Sequence, residues 1–222
     1  MSGENYLDLN GSRAVKVDIQ IPYLGAIVAD VEMALPGTFT GTQLLTVGNL
    51  VISAAQNRGG NFAGEFKTQL VGGFGGWPTV LTAQAYQNAG GIMASVILKD
   101  AAANVGEKVN VVSDYTLGQF WTVEAAPASR QLRILAQLWW IDPATGITQV
   151  NNTRPSNAIS SDFEVIEYNP AKGLFKITSE DPASWMPGNT FVNPFLPGPS
   201  TISSTRIVCD DSGEMHLHVL SV

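Results

Sequence analysis

The chain has 222 residues, 45% apolar and 14% charged, with 12 Lys+Arg against 19 Asp+Glu and a formal net charge of −7. This is a globular rather than a disordered composition. The acidic balance, with no Lys/Arg cluster, argues against a direct nucleic-acid partner, which would need concentrated cations to hold phosphates. The single cysteine, Cys209, excludes an internal disulfide and any multi-cysteine zinc site, and reads as a small buried hydrophobe in a strand. No apolar run reaches the ~20 residues of a membrane helix. The opening MSGENYLDLNGSRAV lacks a basic stretch followed by an apolar one, so no signal peptide is expected.

In chain order, residues 1–13 are polar and are expected to be a flexible segment. Val15, Val17, Ile19 and Ile21 alternate with Lys16, Asp18 and Gln20, the period of a half-buried strand. Pro22 to Gly25 reads as a turn, and Ile27, Ala29, Val31 and Met33 alternate again, completing a hairpin. Leu44 to Ala55 is apolar enough for one or two strands around Gly48-Asn49. Arg58-Gly59-Gly60-Asn61 reads as a turn, with a strand returning from Phe62 to Val71. Four or five strands in this space predict a small barrel over 14–80.

The glycines of VGGFGGW permit sharp bending, and Pro78 pushes Trp77 toward extended backbone. After Asn88, a candidate N-cap, Met93, Ile97, Ala101 and Val105 recur at helical spacing up to Gly106, where a helix-ending αL residue is expected. Val109–Val112 and Phe120–Val123 are short strand candidates. Pro127 suits the first turn of a second helix, whose apolar stripe would be Leu132, Leu135, Ala136 and Trp139. That stripe makes Trp139 the buried tryptophan, with Trp140 pointing away. Asp142–Gly146 turns the chain back into Ile147–Val150. The block 81–151 is therefore an α/β insertion.

Asn151 to Ser161 reads as a polar linker. Phe163, Val165 and Glu167 alternate and pair with Leu174–Ile177 across Asn169–Gly173. Five prolines between 182 and 199 bar long regular structure there. Thr201–Cys209 and Met215–Leu220 form a last hairpin across Asp210–Gly213. The fold class is mainly β with an α/β insertion: two small barrel-like β regions, 14–80 and 152–222, flank a two-helix block.

Few residues carry chemistry in this pattern. His216 and His218 lie two apart in a strand, on one face, which suits a metal, yet no further ligand is assigned to that face. Asp30/Glu32, Asp162/Glu164, Glu180/Asp181 and Asp210/Asp211 are the carboxylate pairs that glycoside hydrolysis would draw on, but they sit in turns or at exposed strand positions. There is no G-x-S-x-G elbow, and GGFGG and GNFAG do not end in the Gly-Lys-Ser/Thr of a phosphate loop. Trp77, Trp139 and Trp140 could stack sugars or bases or serve as core. No catalytic, cofactor-binding or metal-ligating set is predicted, and the chain is not expected to be an enzyme.

The run VGGFGGW, followed by AYQNAGGIMASVILKDAAANVGE, then PASRQLRILAQLWWIDPATGITQV and the late DPASWMPGNTF, resembles the hub-protein family of bacteriophage tails and baseplates. The resemblance runs from about Asp18 to the C-terminus. It implies related barrels that build a ring, a homotrimer whose two barrels per chain match a six-fold tail tube, and a structural role joining that tube to a central spike or fibre. It places the protein in the virion tail, made in the host bacterial cytoplasm; the residues themselves lead to the expectation of no cofactor and no specific nucleic-acid binding. The rival readings are a carbohydrate-binding or glycoside-hydrolysing β-sandwich, and another tail-tube or distal-tail protein.

Overall fold

The structure is a computed structural model that describes residues 7–37, 39–62, 65–196, 198–210, 212 and 214–221. Alternating apolar residues build six strands, β1 (Leu7–Leu9), β2 (Ser12–Pro22), β3 (Val28–Met33), β4 (Thr42–Val47), β5 (Leu50–Phe62) and β6 (Glu65–Gly72). They pair antiparallel in the order β1-β4-β5-β6-β3-β2, and β2 returns to β1, so the barrel is closed. Val17, Ile19 and Ile21 of β2, Ala29, Val31 and Met33 of β3, and Leu45 and Val47 of β4 fill its interior. The alternation slips once. A bulge between Ala14 and Lys16 turns Ala14 inward in place of the expected Val15.

The chain then enters the insertion through β7 (Val80–Leu81), β8 (Gln84–Gln87), α1 (Ala94–Asn104), β9 (Val109–Val111), β10 (Phe120–Val123), β11 (Ala126–Pro127), α2 (Ser129–Leu135), β12 (Trp139–Ile141) and β13 (Thr148–Val150). β8 pairs with β10, β7 with β11, and β12-β13-β9 form a small mixed sheet. Trp77, Ile97, Leu98, Ala101, Leu132, Leu135 and Val150 give this block its own apolar core.

The last part comprises β14 (Glu164–Asn169), β15 (Leu174–Thr178), a 3₁₀ turn at Pro182–Ser184, β16 (Thr190–Val192), β17 (Pro199–Asp210) and β18 (Met215–Ser221). β17 pairs with β2, from Ser204 opposite Pro22 to Asp210 opposite Lys16. The barrel wall therefore continues as β2-β17-β18-β15-β14 in one eleven-stranded sheet. The interior is continuous as well: Phe175, Ile177, Trp185, Phe191, Ile207 and Leu217 belong to the same apolar cluster as the barrel core. Trp185 packs edge-on to Phe163 at 5.0 Å, and Phe175 edge-on to Phe191 at 5.2 Å. Cys209 is buried in β17, as expected, and burial pushes its thiol up to about 11.

Several local expectations give way to tertiary structure. Leu7–Leu9, inside the segment read as flexible, is the strand that closes the barrel, and Leu7 and Leu9 are buried. Arg58–Asn61 is no turn. Gly59 and Gly60 pair with Thr68 and Lys67, and β5 runs on to Phe62, because a ladder made by backbone groups tolerates glycines that local preference assigns to turns. α1 starts at Ala94 rather than near residue 89. Asn88 instead accepts a hydrogen bond from the Gly90 N–H at 2.9 Å, which turns the chain there. Gly106, at φ 74°, does end the helix.

The tryptophan assignment is also corrected. α2 stops at Leu135, and Ala136 is already extended, so Trp139 and Trp140 lie on β12, where neighbours point to opposite faces. Trp140 is the buried one, and Trp139 is half-buried against the insertion core. Trp140→Ala is accordingly expected to cost about 3–5 kcal/mol and to lower the melting temperature sharply, with Trp139→Ala the milder change. Thermal melts of the two variants check this ordering.

Candidate assembly surface

Because one face of the long sheet is packed, its other face collects the polar half of each alternating strand. Its charges are largely matched in pairs. Arg206 on β17 grips Asp18 on β2 through two bonds, Nε at 2.8 Å and Nη2 at 2.5 Å, a fork-on-carboxylate geometry. On the next strands, Gln69 Nε2 donates to Asp30 at 2.9 Å, and Asn57 Nδ2 donates to Gln69 at 3.0 Å. Lys67 Nζ lies 2.7 Å from Glu32 and 3.1 Å from Glu65. A shallow depression of about 430 Å³ over β2, β3, β5 and β6 is lined by Lys16, Asp18, Glu32, Arg58 and Lys67 among others. Cations and carboxylates alternate across it, so it offers phosphates no concentrated positive field.

His216 and His218 stand on this polar side of β18, both partly exposed. Burial, together with the neighbouring Arg206 and Lys176, holds the His218 pKa below its usual range. Among the described residues, no His, Cys, Asp or Glu group is arranged to hold a metal. Asp30 and Glu32 belong to the hydrogen-bonded face already described. Asp181 caps the 3₁₀ turn by accepting the Ser184 N–H and also takes a bond from Asn49 at 2.7 Å. Asp162, Glu164 and Glu180 line an open depression beside His216. Asp210 accepts from Ser212, and Asp211 lies outside the described residues. Trp77 is buried, its Nε1 donating to Thr148 at 3.0 Å.

Two buried charged residues, neither singled out by the sequence, tie the insertion to the sheet. The first is Glu107, just beyond α1 and only 5% exposed. Its carboxylate accepts the Gly76 N–H at 2.6 Å and the Phe74 N–H at 3.3 Å, so the glycine junction is a backbone cradle around an internal anion. Gly76 has to be glycine, since a Cβ there would lie 2.0 Å from the Val105 carbonyl oxygen. The second is Arg154, in the segment read as a linker. Its Nε and Nη2 donate to the Tyr23 and Pro22 carbonyls at 2.7 and 2.9 Å, and its guanidinium stacks on Trp140 at 4.5 Å. Burial lowers its pKa to about 10, a fall that Tyr23 and Asp142 oppose. Gly25, meanwhile, donates its N–H to the Trp139 carbonyl at 2.8 Å.

No protein-family model matches the sequence, and no curated protein is significantly similar to it. Solved structures do resemble it. The tail protein from Neisseria meningitidis MC58 superposes with a TM-score of 0.64 at 12% identity, covering 98% of this chain and 96% of that one. The E. coli c3393 protein is a type VI secretion component described as structurally similar to the T4 bacteriophage tail proteins gp27 and gp5. It reaches 0.64 at 8% identity, over 100% and 75% of the two chains. The 43 kDa tail protein of prophage MuSo2 from Shewanella oneidensis gives 0.61 at 12% identity, over 97% and 96%. The fold implied by the sequence resemblance is thus the fold observed.

Burial raises the Glu107 pKa, and the N–H groups of Gly76, Phe74, Trp77 and Gly75 only partly oppose it. A carboxyl whose folded pKa lies above its unfolded value contributes stability at pH below the unfolded value and loses it as pH rises through the folded one. The stability of the parent relative to Glu107→Gln, whose side chain does not titrate, should therefore fall from acid pH to neutrality. Paired melts across that range test the sign.

Proposed function

We propose that this chain is a structural component of a bacteriophage tail tip or baseplate, a hub that joins the tail tube to a central spike or fibre. The observation that carries the reading is similarity to tail proteins over essentially the whole chain, insertion included. A tube-type protein would share the barrel without needing the α/β block. On this reading, copies assemble as a homotrimer whose two β regions present six related units to a six-fold tube. The chain acts in the virion tail after synthesis in the host cytoplasm, and has no catalytic role. The sugar-binding alternative needs exposed aromatic platforms. Trp77, Trp140 and Trp185, three of its five tryptophans, are instead buried.

The purified chain, alone or with its tail-tube protein, should form a ring-shaped oligomer by light scattering and negative-stain imaging. A strictly monomeric species in both conditions at high concentration would overturn the assignment. A second expectation concerns DNA. The matched charges of the polar face and the net −7 give a lumen built from this chain no means of retaining it. Affinity for duplex DNA at physiological salt should be weaker than about 10⁻⁶ M, checked by a salt titration of binding.

A further inference from the structure

Among the described residues, the sheet has two unpaired ends. Starting from β5, it runs β5-β6-β3-β2-β17-β18-β15-β14, every neighbouring pair antiparallel. β4 covers β5 only as far as Ala55. Among the described residues, β5 from Arg58 to Phe62 is paired by β6 alone, and β14 is paired by β15 alone. Barrel closure removes the edges of the first β region only up to this point, and both ends leave a row of backbone donors and acceptors open.

The two ends differ in charge. The β5 end carries Arg58, exposed and in no ion pair among the described residues. The β14 end carries Glu164 and Glu167, also exposed and without an ion pair among them. Val165 and Tyr168 pack on the core, which puts Glu164 and Glu167 on the opposite, polar face with Arg58. Direction matches too. In an alternating series of eight strands the first and last run opposite ways, so a rotation that brings β14 of one copy against β5 of the next continues the antiparallel order. The strands, their charges and their directions are therefore compatible head to tail.

We propose that the free half of β5, from residue 57 onward, pairs with β14 of a second copy of this chain, in the register that sets Arg58 directly opposite Glu167 and diagonal to Glu164 across the join. The inference rests on the hub reading and names the segments through which its ring would close. Hydrogen exchange on the assembled wild-type protein should show both segments protected relative to the monomer. Arg58→Glu, or Glu164→Lys with Glu167→Lys, should weaken assembly about tenfold or more, since like charges then face each other. The three changes combined in one chain should restore it, and unchanged melts confirm that each variant folds. A wild-type ring with both segments unprotected, reversals that leave assembly within about twofold, or a combined variant that stays dissociated would each overturn the pairing while leaving the hub intact. A wild-type chain that never assembles would remove both.

Discussion

Strand β2 hydrogen-bonds on both sides, to β3 on one and to β17 on the other, and the rest of the molecule depends on that double use. Without the β17 ladder the barrel and the C-terminal strands would be separate modules, each with a polar and an apolar face. With it they share a wall and a core, and Ile19 and Ile207 stand opposite one another inside. The Arg206–Asp18 fork repeats this join on the outer face, 188 residues apart in sequence. It is an exposed pair, so its contribution to stability is small. Its effect is on register, because a one-residue slip would turn Val17, Ile19 and Ile21 out of the core.

The insertion is held by different means. It has its own core, and polar contacts fasten it to the sheet: the Glu107 cradle, the Arg154 clamp, and the Gly25–Trp139 and Ser53–Pro143 backbone bonds. Buried charges are costly to leave unpaired. The hydrogen bonds of Glu107 go to backbone N–H groups and those of Arg154 to backbone carbonyls, so each is fixed mainly by main-chain geometry, with the Trp140 ring stacked on the guanidinium. Such contacts set where the block sits. A greasy interface of the same area would tolerate sliding, whereas a carboxylate inside a glycine cradle has one position.

The parts of this architecture that were legible in the sequence are those governed by local periodicity. The β2–β3 hairpin, the β17–β18 hairpin, the two helices and the turn at Asp142–Gly146 follow from alternation, helical spacing and turn residues. What was missed depends on partners remote in the chain. Leu7–Leu9 becomes a strand only because β2 and β4 supply both its neighbours. Gly59 and Gly60 are extended only because β6 lies beside them. Arg154 sits in a polar stretch whose burial comes from Tyr23 and Trp140, 131 and 14 residues away respectively. Trp139 and Trp140 exchanged roles because the helix ends one turn earlier than its apolar stripe. Glu107 could have been suspected: a lone acid just past a helix-ending glycine, with a glycine-rich junction elsewhere to receive it.

Free strand edges carry the risk of indiscriminate pairing, and the two edges here limit it by being unlike. Joining β14 to β14 would set Glu164 and Glu167 against the same residues of the neighbour. Joining β5 to β5 would bring the two Arg58 side chains together. Both symmetric pairings place like charges across a new ladder, which disfavours them. Each edge also carries an irregularity, between Gln56 and Arg58 on β5 and between Val165 and Glu167 on β14, of the kind that blunts casual strand addition. Only the unlike pairing satisfies the charges. An unlike, head-to-tail contact closes into a ring if its rotation divides the circle and runs on as a filament if it does not. On the proposed pairing, closure would be decided by the twist of the eight-strand sheet between the two edges, which the shared core and the β2–β17 ladder hold fixed.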